Sequence, residues 1–247
     1  MRLSVHPDFK HLTDFITTLP ETFHDNGEVL HEGRNCVKLY RINNTDIVVK
    51  RYKYPNIFQQ ITYSFFKKSK AERAYIFANL FRKKGINTPH EIAFIEEYTN
   101  GLIGFTYFIS ESCTLDSLKT TLDRDDFCKE SGVALAEYII KLHEKGILHG
   151  DMNLSNILFR NNIEGYMEFI LIDTNRTKFK KNPSRKECLE NMVRLTHHKP
   201  ALEFIVANYS QKRGWNQEES VSYVLNKLAA FEKRKKIKRE LKSVIKR

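Results

Sequence analysis

Residues 148–159 read Leu148-His149-Gly150-Asp151-Met152-Asn153-Leu154-Ser155-Asn156-Ile157-Leu158-Phe159, LHGDMNLSNILF, a polar island between apolar flanks. Holding a carboxylate and two amides among apolar residues is costly unless each finds a partner, so the island needs a reason. Asp151 is placed to accept a proton from a hydroxyl, and the amide oxygen of Asn156, five residues on, is a hard donor suited to a divalent cation. A second carboxylate, Asp173, closes the strand-like run 168–172 (EFILI) and completes such a donor set.

Outward from this stretch, composition describes a folded body. The chain has 247 residues, 41% of them hydrophobic, with 17 Phe and 11 Tyr, enough side-chain volume for a large core. Its four cysteines (Cys36, Cys113, Cys128, Cys188) form no CxxC pair and no zinc-like spacing with histidine, which points to a reducing compartment. The N-terminus lacks an apolar stretch of signal-peptide length, and no run is long enough to cross a bilayer, so the sequence is expected to act in the cytoplasm.

The order of elements divides the chain. Strand-like runs at 28–30, 36–40 and 46–52, separated by turn formers at 32–35 and 43–44, predict an antiparallel meander. Helical patterns follow at 56–66 and 70–84, the second with Ala74, Phe77, Ala78 and Phe81 on one face, and then two strands at 91–96 and 104–110. Beyond Glu111 a long helix is expected over 126–145, then strands at 156–160 and 165–172 joined by a polar turn at Asn161-Asn162, with helices from Ser184 onward. The expected fold is α+β, a sheet-rich lobe at 1–111 and a helical lobe at 112–247.

A strand lysine (Lys50, ending Ile47-Val48-Val49), a helix glutamate (Glu72), an acid–amide pair (Asp151, Asn156) and a later aspartate (Asp173) are the parts that phosphoryl transfer requires. With these residues the sequence resembles the protein-kinase-like superfamily: HGDMNLSN stands where its catalytic loop H-R-D-x-x-x-x-N does, and Asp173-Thr174-Asn175 where its D-F-G does. With SKAERAY, GINTPHEIAFIE, HGDMNLSNILF and LIDTNR it is more closely similar to the bacterial lipopolysaccharide core kinases, the Kdo and heptose kinases, with the look of a Bacteroidetes member. The resemblance spans most of 33–176.

It implies a two-lobed fold, ATP and Mg²⁺ as cofactors, and a sugar hydroxyl of a lipid A core precursor as acceptor at the inner-membrane face. It implies Asp151 as base, Lys50 on the nucleotide phosphates with Glu72 as its ion-pair partner, and Asn156 and Asp173 as metal ligands. It places the phosphate turn at Gly33-Arg34-Asn35, the adenine contact at Glu111 and Cys113, and substrate contacts at Asn153 and Arg176. His149 is structural in this superfamily.

Departures and rival readings accompany these roles. Gly150 stands where many protein kinases have Arg, no A-P-E follows, and 74 residues (247 − 173) remain after Asp173, a short span for a peptide platform. Gly33 is the one glycine of its turn, against three in G-x-G-x-x-G. Ser69-Lys70-Ala71-Glu72 also matches a capping box, a purely structural use for Glu72. His197-His198 reads as cations at a helix end, because adjacent helical residues point apart. Segment 56–66, between the lysine strand and the glutamate helix, is where sugar-pocket residues are expected.

The formal net charge of +11 is concentrated at the end, where 231–247 read FEKRKKIKRELKSVIKR, a basic helix with Ile237, Leu241, Val244 and Ile245 at helical spacing. It either packs on the body or contacts an anionic inner membrane; nucleic acid is not an expected partner. The alternatives to a lipopolysaccharide kinase are a kinase for another small molecule or a protein hydroxyl, and a nucleotide-binding protein without turnover.

Overall fold

The computed structural model describes residues 1–161 and 165–245, with backbone alone for 242–245. It divides into two compact units, Met1–Thr114 with Leu171–Arg176, and Leu115–Ile170 with Thr177–Arg247. The segment carrying Asp173 therefore belongs with the first unit, although it lies in the part of the sequence expected to form the helical lobe.

The first unit is built on a six-stranded antiparallel sheet of β1 (Arg2–Val5), β2 (Glu28–Glu32), β3 (Cys36–Ile42), β4 (Thr45–Tyr52), β5 (Glu91–Thr99) and β6 (Leu102–Glu111). Their order across the sheet is β1-β5-β6-β4-β3-β2. The meander expected from 28–52 forms as β2–β3–β4, whereas β1 and the helix α1 (Thr13–Thr22) lie ahead of the first strand read from the sequence. Strand alternation decides what each face carries. Ile47 and Val49 of β4 enter a core with Ile16, Leu19 and Phe23 from the α1 region. Tyr52, of the opposite parity and the same as Lys50, packs with Ala71 and Phe94 on the side of helix α3 (Lys70–Lys83).

A buried lysine ties the α1 end to the sheet. Lys38 Nζ donates to the carbonyls of Phe23 (2.6 Å), His24 (3.1 Å) and Asn26 (2.8 Å), where helix-end carbonyls otherwise lack partners. Between β4 and α3, the segment expected to be one helix is a short α2 (Ile57–Ile61) that continues into a π-helical turn, Thr62–Phe66.

The second unit is mostly helical: α4 (Lys119–Leu122), α5 (Lys129–Glu144), α6 (Arg185–Met192), α7 (Lys199–Lys212) and α8 (Gln217–Ile245). Helix α5 begins at Lys129 rather than 126, because the Cys128 side chain caps it by accepting from Ser131 N. Its Leu135, Ala136, Ile139 and Leu142 are buried, as are Ala201, Leu202, Ile205 and Val206 of α7. Gly132 permits the close approach: a Cβ there would lie 3.0 Å from the Phe204 ring.

Gly146 ends α5 with φ +73°, and a Cβ would lie 2.2 Å from Lys180 O, so no other residue fits. It delivers the chain into β7 (Ile147–Leu148), paired with β10 (Lys178–Phe179). A second ribbon pairs β8 (Ile157–Asn161) with β9 (Met167–Leu171). Of the turn expected between these strands, Asn162 lies outside the described residues.

Helix α8 is buried to different extents along its length. Ser220, Val224 and Leu228 are buried against the unit, while Ile237 and Leu241 stand 45% and 58% exposed. The first half is a packed helix; Ile237 and Leu241, in the second half, face solvent. Among the described residues no helix is long and apolar enough to cross a membrane.

Candidate active site

In the first unit, β4 presents Lys50 and the 171–176 segment presents Asp173, and the two meet: Lys50 Nζ donates to Asp173 Oδ1 at 2.7 Å. The segment is held in place by Leu171, whose N–H donates to Asn87 O (2.9 Å) and whose carbonyl accepts from Thr88 Oγ1 (2.7 Å). Asp173 sits at φ +56°, a left-handed conformation that Asp tolerates better than most residues, just before the 3₁₀ turn Thr174–Arg176. Asn175 Nδ2 donates to the same Oδ1. Both donors therefore converge on one oxygen of Asp173.

The expected Lys50–Glu72 ion pair is not formed. Glu72, 4% exposed in the first turn of α3, instead binds Arg2 (2.9 Å) and Lys68, and Arg2 also binds Glu96 (3.0 Å). Burial works to raise the Glu72 pKa, but the Arg2 and Lys68 contacts outweigh it and hold the carboxyl below its usual range. The capping rival is half right: Glu72 N donates to Ser69 Oγ (3.0 Å), while the carboxylate goes to the cations. Sequence reasoning missed Arg2 because its strand lies outside the strand-like runs. Glu91, the other nearby acid, is fully buried and taken by Asn79 (2.8 Å) and Arg82 (3.6 Å).

Around Lys50 positive charge accumulates. Lys70, the first residue of α3, has its pKa lowered by burial and then by Arg34, Arg176, Arg73 and Lys50. Lys50 and Lys70 both lie over the Tyr52 ring, at 5.4 and 6.0 Å. Five cations on four segments, with Asp173 as the close counter-charge of Lys50, make an electropositive site suited to a polyanion. Lys70 and Arg73 were not singled out from the sequence, since the run KKSKAER reads as an ordinary solvated helix start.

The turn at 33–35 differs from a phosphate loop. Gly33 N donates to Asn35 O (3.2 Å), and Asn35 Oδ1 accepts from Lys53 N (3.1 Å), so both serve the hairpin itself and Arg34 alone of the three adds to the positive cluster. The amides of Glu111 and Ser112 are likewise engaged, donating to His90 O (2.9 Å) and Asp46 O (2.8 Å). Cys113, half-buried, follows the last strand of the sheet.

In the second unit the loop after β7 folds around its own backbone. His149 is 1% exposed and its Nδ1 accepts from Asp151 N (3.4 Å), the structural use expected of it. Asn153 and Asn156 both donate to Asp151 O at 2.9 Å, which fixes the carbonyl side of Asp151. Asn153 also caps the short 3₁₀ turn Leu154–Asn156 by accepting from Ser155 N (3.0 Å). With the Asn156 nitrogen so used, its amide oxygen is the end left to accept or ligate. The Asp151 carboxylate binds Arg194 (3.0 Å), which also donates to Gly150 O (3.1 Å).

A second set of residues holds this loop from behind. Asn191 Nδ2 donates to His149 O (2.8 Å), its Oδ1 meets His143 Nε2 (3.1 Å), and His143 Nδ1 meets Tyr209 OH (2.8 Å). Burial lowers the His143 pKa to about 4, so the ring is neutral, donating from Nε2 and accepting from Tyr209.

Asp151 opens on a cavity of about 270 Å³ within the second unit. Its walls include Asn153, Lys119, Arg194 and His197, and, from α8, Phe231 and Lys235. Phe231 is fixed by stacking on His197 (6.5 Å, 26°) and by Arg194 over its ring (5.6 Å). Helix α8 therefore contributes to this pocket, a role that charge patterning alone did not reveal.

The first unit thus sets a strand lysine on an aspartate that follows a strand, and the second closes an Asp–Asn loop on its own backbone, the two features by which the sequence resembles the kinase-like superfamily. The comparisons carry this further. The profile of the lipopolysaccharide kinase (Kdo/WaaP) family matches residues 28–215, more than half of the chain, and the chain belongs to that family. Its members are lipopolysaccharide sugar kinases, so the protein is a phosphotransferase with a hydroxyl acceptor. Among solved structures it is similar to WaaP in complex with acyl carrier protein, at 14% identity and TM-score 0.61, covering 96% of this chain and 99% of that one. It also matches the Rio2 kinase of Chaetomium thermophilum in an ADP/Mg²⁺-phosphoaspartate complex, at 13% identity and TM-score 0.47, covering 92% and 77%. No curated protein matches it by sequence. The likeness to WaaP shows the protein-kinase-like fold expected from the sequence.

Proposed function

We propose that this lipopolysaccharide core kinase phosphorylates the acidic sugar Kdo rather than a neutral heptose. The observation that carries this reading is the cavity beside Asp151, whose lining brings three cations, Lys119, Arg194 and Lys235, together with two acids, Asp123 and Asp151. A sugar acid presents a carboxylate for these cations to bind, whereas a neutral heptose offers none unless phosphorylated. Asp151 orients the acceptor hydroxyl and takes its proton, Asn153 lines the same wall, and Arg194 holds the base in position.

In the first unit, Lys50 and the cluster of Arg34, Lys70, Arg73 and Arg176 receive the phosphates of ATP, so Arg176 serves the nucleotide side rather than the sugar. Glu111 to Cys113 supply the adenine edge. Magnesium fits the donors that each unit offers by itself: in the first, the second carboxylate oxygen of Asp173, and in the second, the amide oxygen of Asn156, both hard donors left over by their hydrogen bonds. When bound, the ion would supply charge neutralisation on the phosphates. The exposed Ile237 and Leu241 among the basic residues of α8 support contact with an anionic inner membrane on its cytoplasmic face. WaaP's complex with acyl carrier protein makes a carrier protein a second partner to examine.

The test is to incubate the enzyme and ATP with lipid A acceptors ending in Kdo or in heptose, and to read phosphate addition by mass spectrometry. Phosphorylation of the Kdo acceptor is expected, with Lys235→Glu raising its KM about tenfold and changing kcat little. Preference for a heptose terminus contradicts the reading.

A further inference from the structure

The segment between β4 and α3 carries a surface that neither the core nor the cationic sites use. Ile57, Phe58, Ile61, Phe65 and Phe66 are exposed, the three phenylalanines at 77%, 67% and 77%. They recur at i, i+1, i+4, i+8 and i+9, a single stripe along α2 and its π-helical continuation. The opposite side is anchored. Ser64 Oγ accepts from Ile103 N (2.9 Å) on β6, Arg73 lies over the Tyr63 ring (6.0 Å), and Asn56 caps α2 by accepting from Gln59 N (3.0 Å). The stripe is thus held outward by an ordered scaffold. This is the segment where the sequence placed sugar-pocket residues, and its three phenylalanines face solvent.

Charge indicates what covers it. From Lys50 to Lys70 the chain has six basic residues and no acid, and Lys53, Lys67 and Lys68 are exposed beside the stripe. Phenylalanine and isoleucine at the tip with lysine at the flanks is the arrangement that enters the boundary between acyl chains and anionic headgroups. We propose that residues 53–68 are a membrane-docking element, inserting Phe58, Phe65 and Phe66 into an anionic bilayer. It lies in a different unit from the tail of α8, and it goes beyond the acceptor reading, since that reading does not use these residues.

The full chain, without ATP or acceptor, is sedimented with vesicles of phosphatidylcholine alone or mixed with phosphatidylglycerol. The wild type is expected to bind the anionic vesicles, and Phe58→Ser/Phe65→Ser/Phe66→Ser to lower binding at least about tenfold with an unchanged thermal unfolding midpoint. In parallel, Phe66→Trp is expected to add a blue-shifted emission component that brominated lipid quenches, read against the native Trp215 background. Undiminished binding of the triple variant would overturn the proposal, as would emission from the introduced indole that stays water-like. A wild-type dimer that the triple variant converts to monomer assigns the stripe to a second copy and overturns it equally. Because no nucleotide or acceptor is present, none of these failures bears on the choice of sugar.

Discussion

The loop 149–156 and the β2–β3–β4 region with α3 both carry residues proposed for the kinase site, yet they are built in opposite ways. The loop is self-contained: within eight residues His149, Asn153 and Asn156 bind the backbone of Asp151, so a local motif describes its geometry. The phosphate side is assembled from distant pieces, with Lys50 meeting Asp173 at a separation of 123 residues and Glu72 meeting Arg2 at 70. Where hydrogen bonds are local, the sequence specifies them directly. Where charges choose partners across the fold, sequence gives the charges but not the pairing.

This contrast can be tested where each region is most exposed to failure. The largest effect is expected from the non-local pair. Asp173→Asn removes the counter-charge of Lys50 and the proposed magnesium donor, and should lower kcat about a thousandfold, roughly 4 kcal/mol of transition-state stabilisation. Steady-state turnover with saturating acceptor checks it, and a loss under tenfold would make the pair dispensable.

The local region is supported from behind by His143, whose folded pKa of about 4 lies below the ordinary 6.5. As pH falls from 6.5 toward 4, the unfolded chain binds a proton that the folded chain does not. The stability His143 contributes is complete above 6.5 and lost through that window, by up to about 3 kcal/mol. Denaturant titrations between pH 7 and pH 4 should show this slope, and His143→Gln should flatten it. An unchanged slope in the variant would place the acid sensitivity elsewhere.

The smallest effect is expected at Gly33. Its φ is not left-handed, and an added Cβ meets only the end of the His31 side chain at 3.0 Å. Gly33→Ala should leave the KM for ATP within about twofold, whereas a phosphate loop dependent on close backbone approach would lose far more.

The same contrast explains what could be read beforehand. Strand alternation placed β3 to β6, and the apolar face of α3 was visible in Ala74, Phe77, Ala78 and Phe81, all buried except the half-buried Phe77. Asp151, Asn156, Lys50 and Asp173 stood out because polar residues sat where apolar neighbours made them expensive. Arg194 and Lys235, by contrast, lie in stretches whose charges look like ordinary surface. The places they take come from the loop between α6 and α7 and from α8, which both line the cavity at Asp151, an arrangement no local pattern encodes. The strand β1 was missed because its four residues carry no full alternating pattern, although it supplies the partner of Glu72. Cys128 shows the limit at boundaries: a thiol cap moved the start of α5 to Lys129.

The central claim is that Asp151 is the base of a sugar phosphotransferase whose nucleotide site is built separately. Single-turnover phosphate transfer from ATP to a Kdo-terminated lipid A acceptor by Asp151→Asn, with ATP affinity measured on the same preparation, tests it most directly. The account predicts a transfer rate lower by a factor of about 10² to 10⁴ with ATP affinity unchanged. Transfer at the wild-type rate would contradict it.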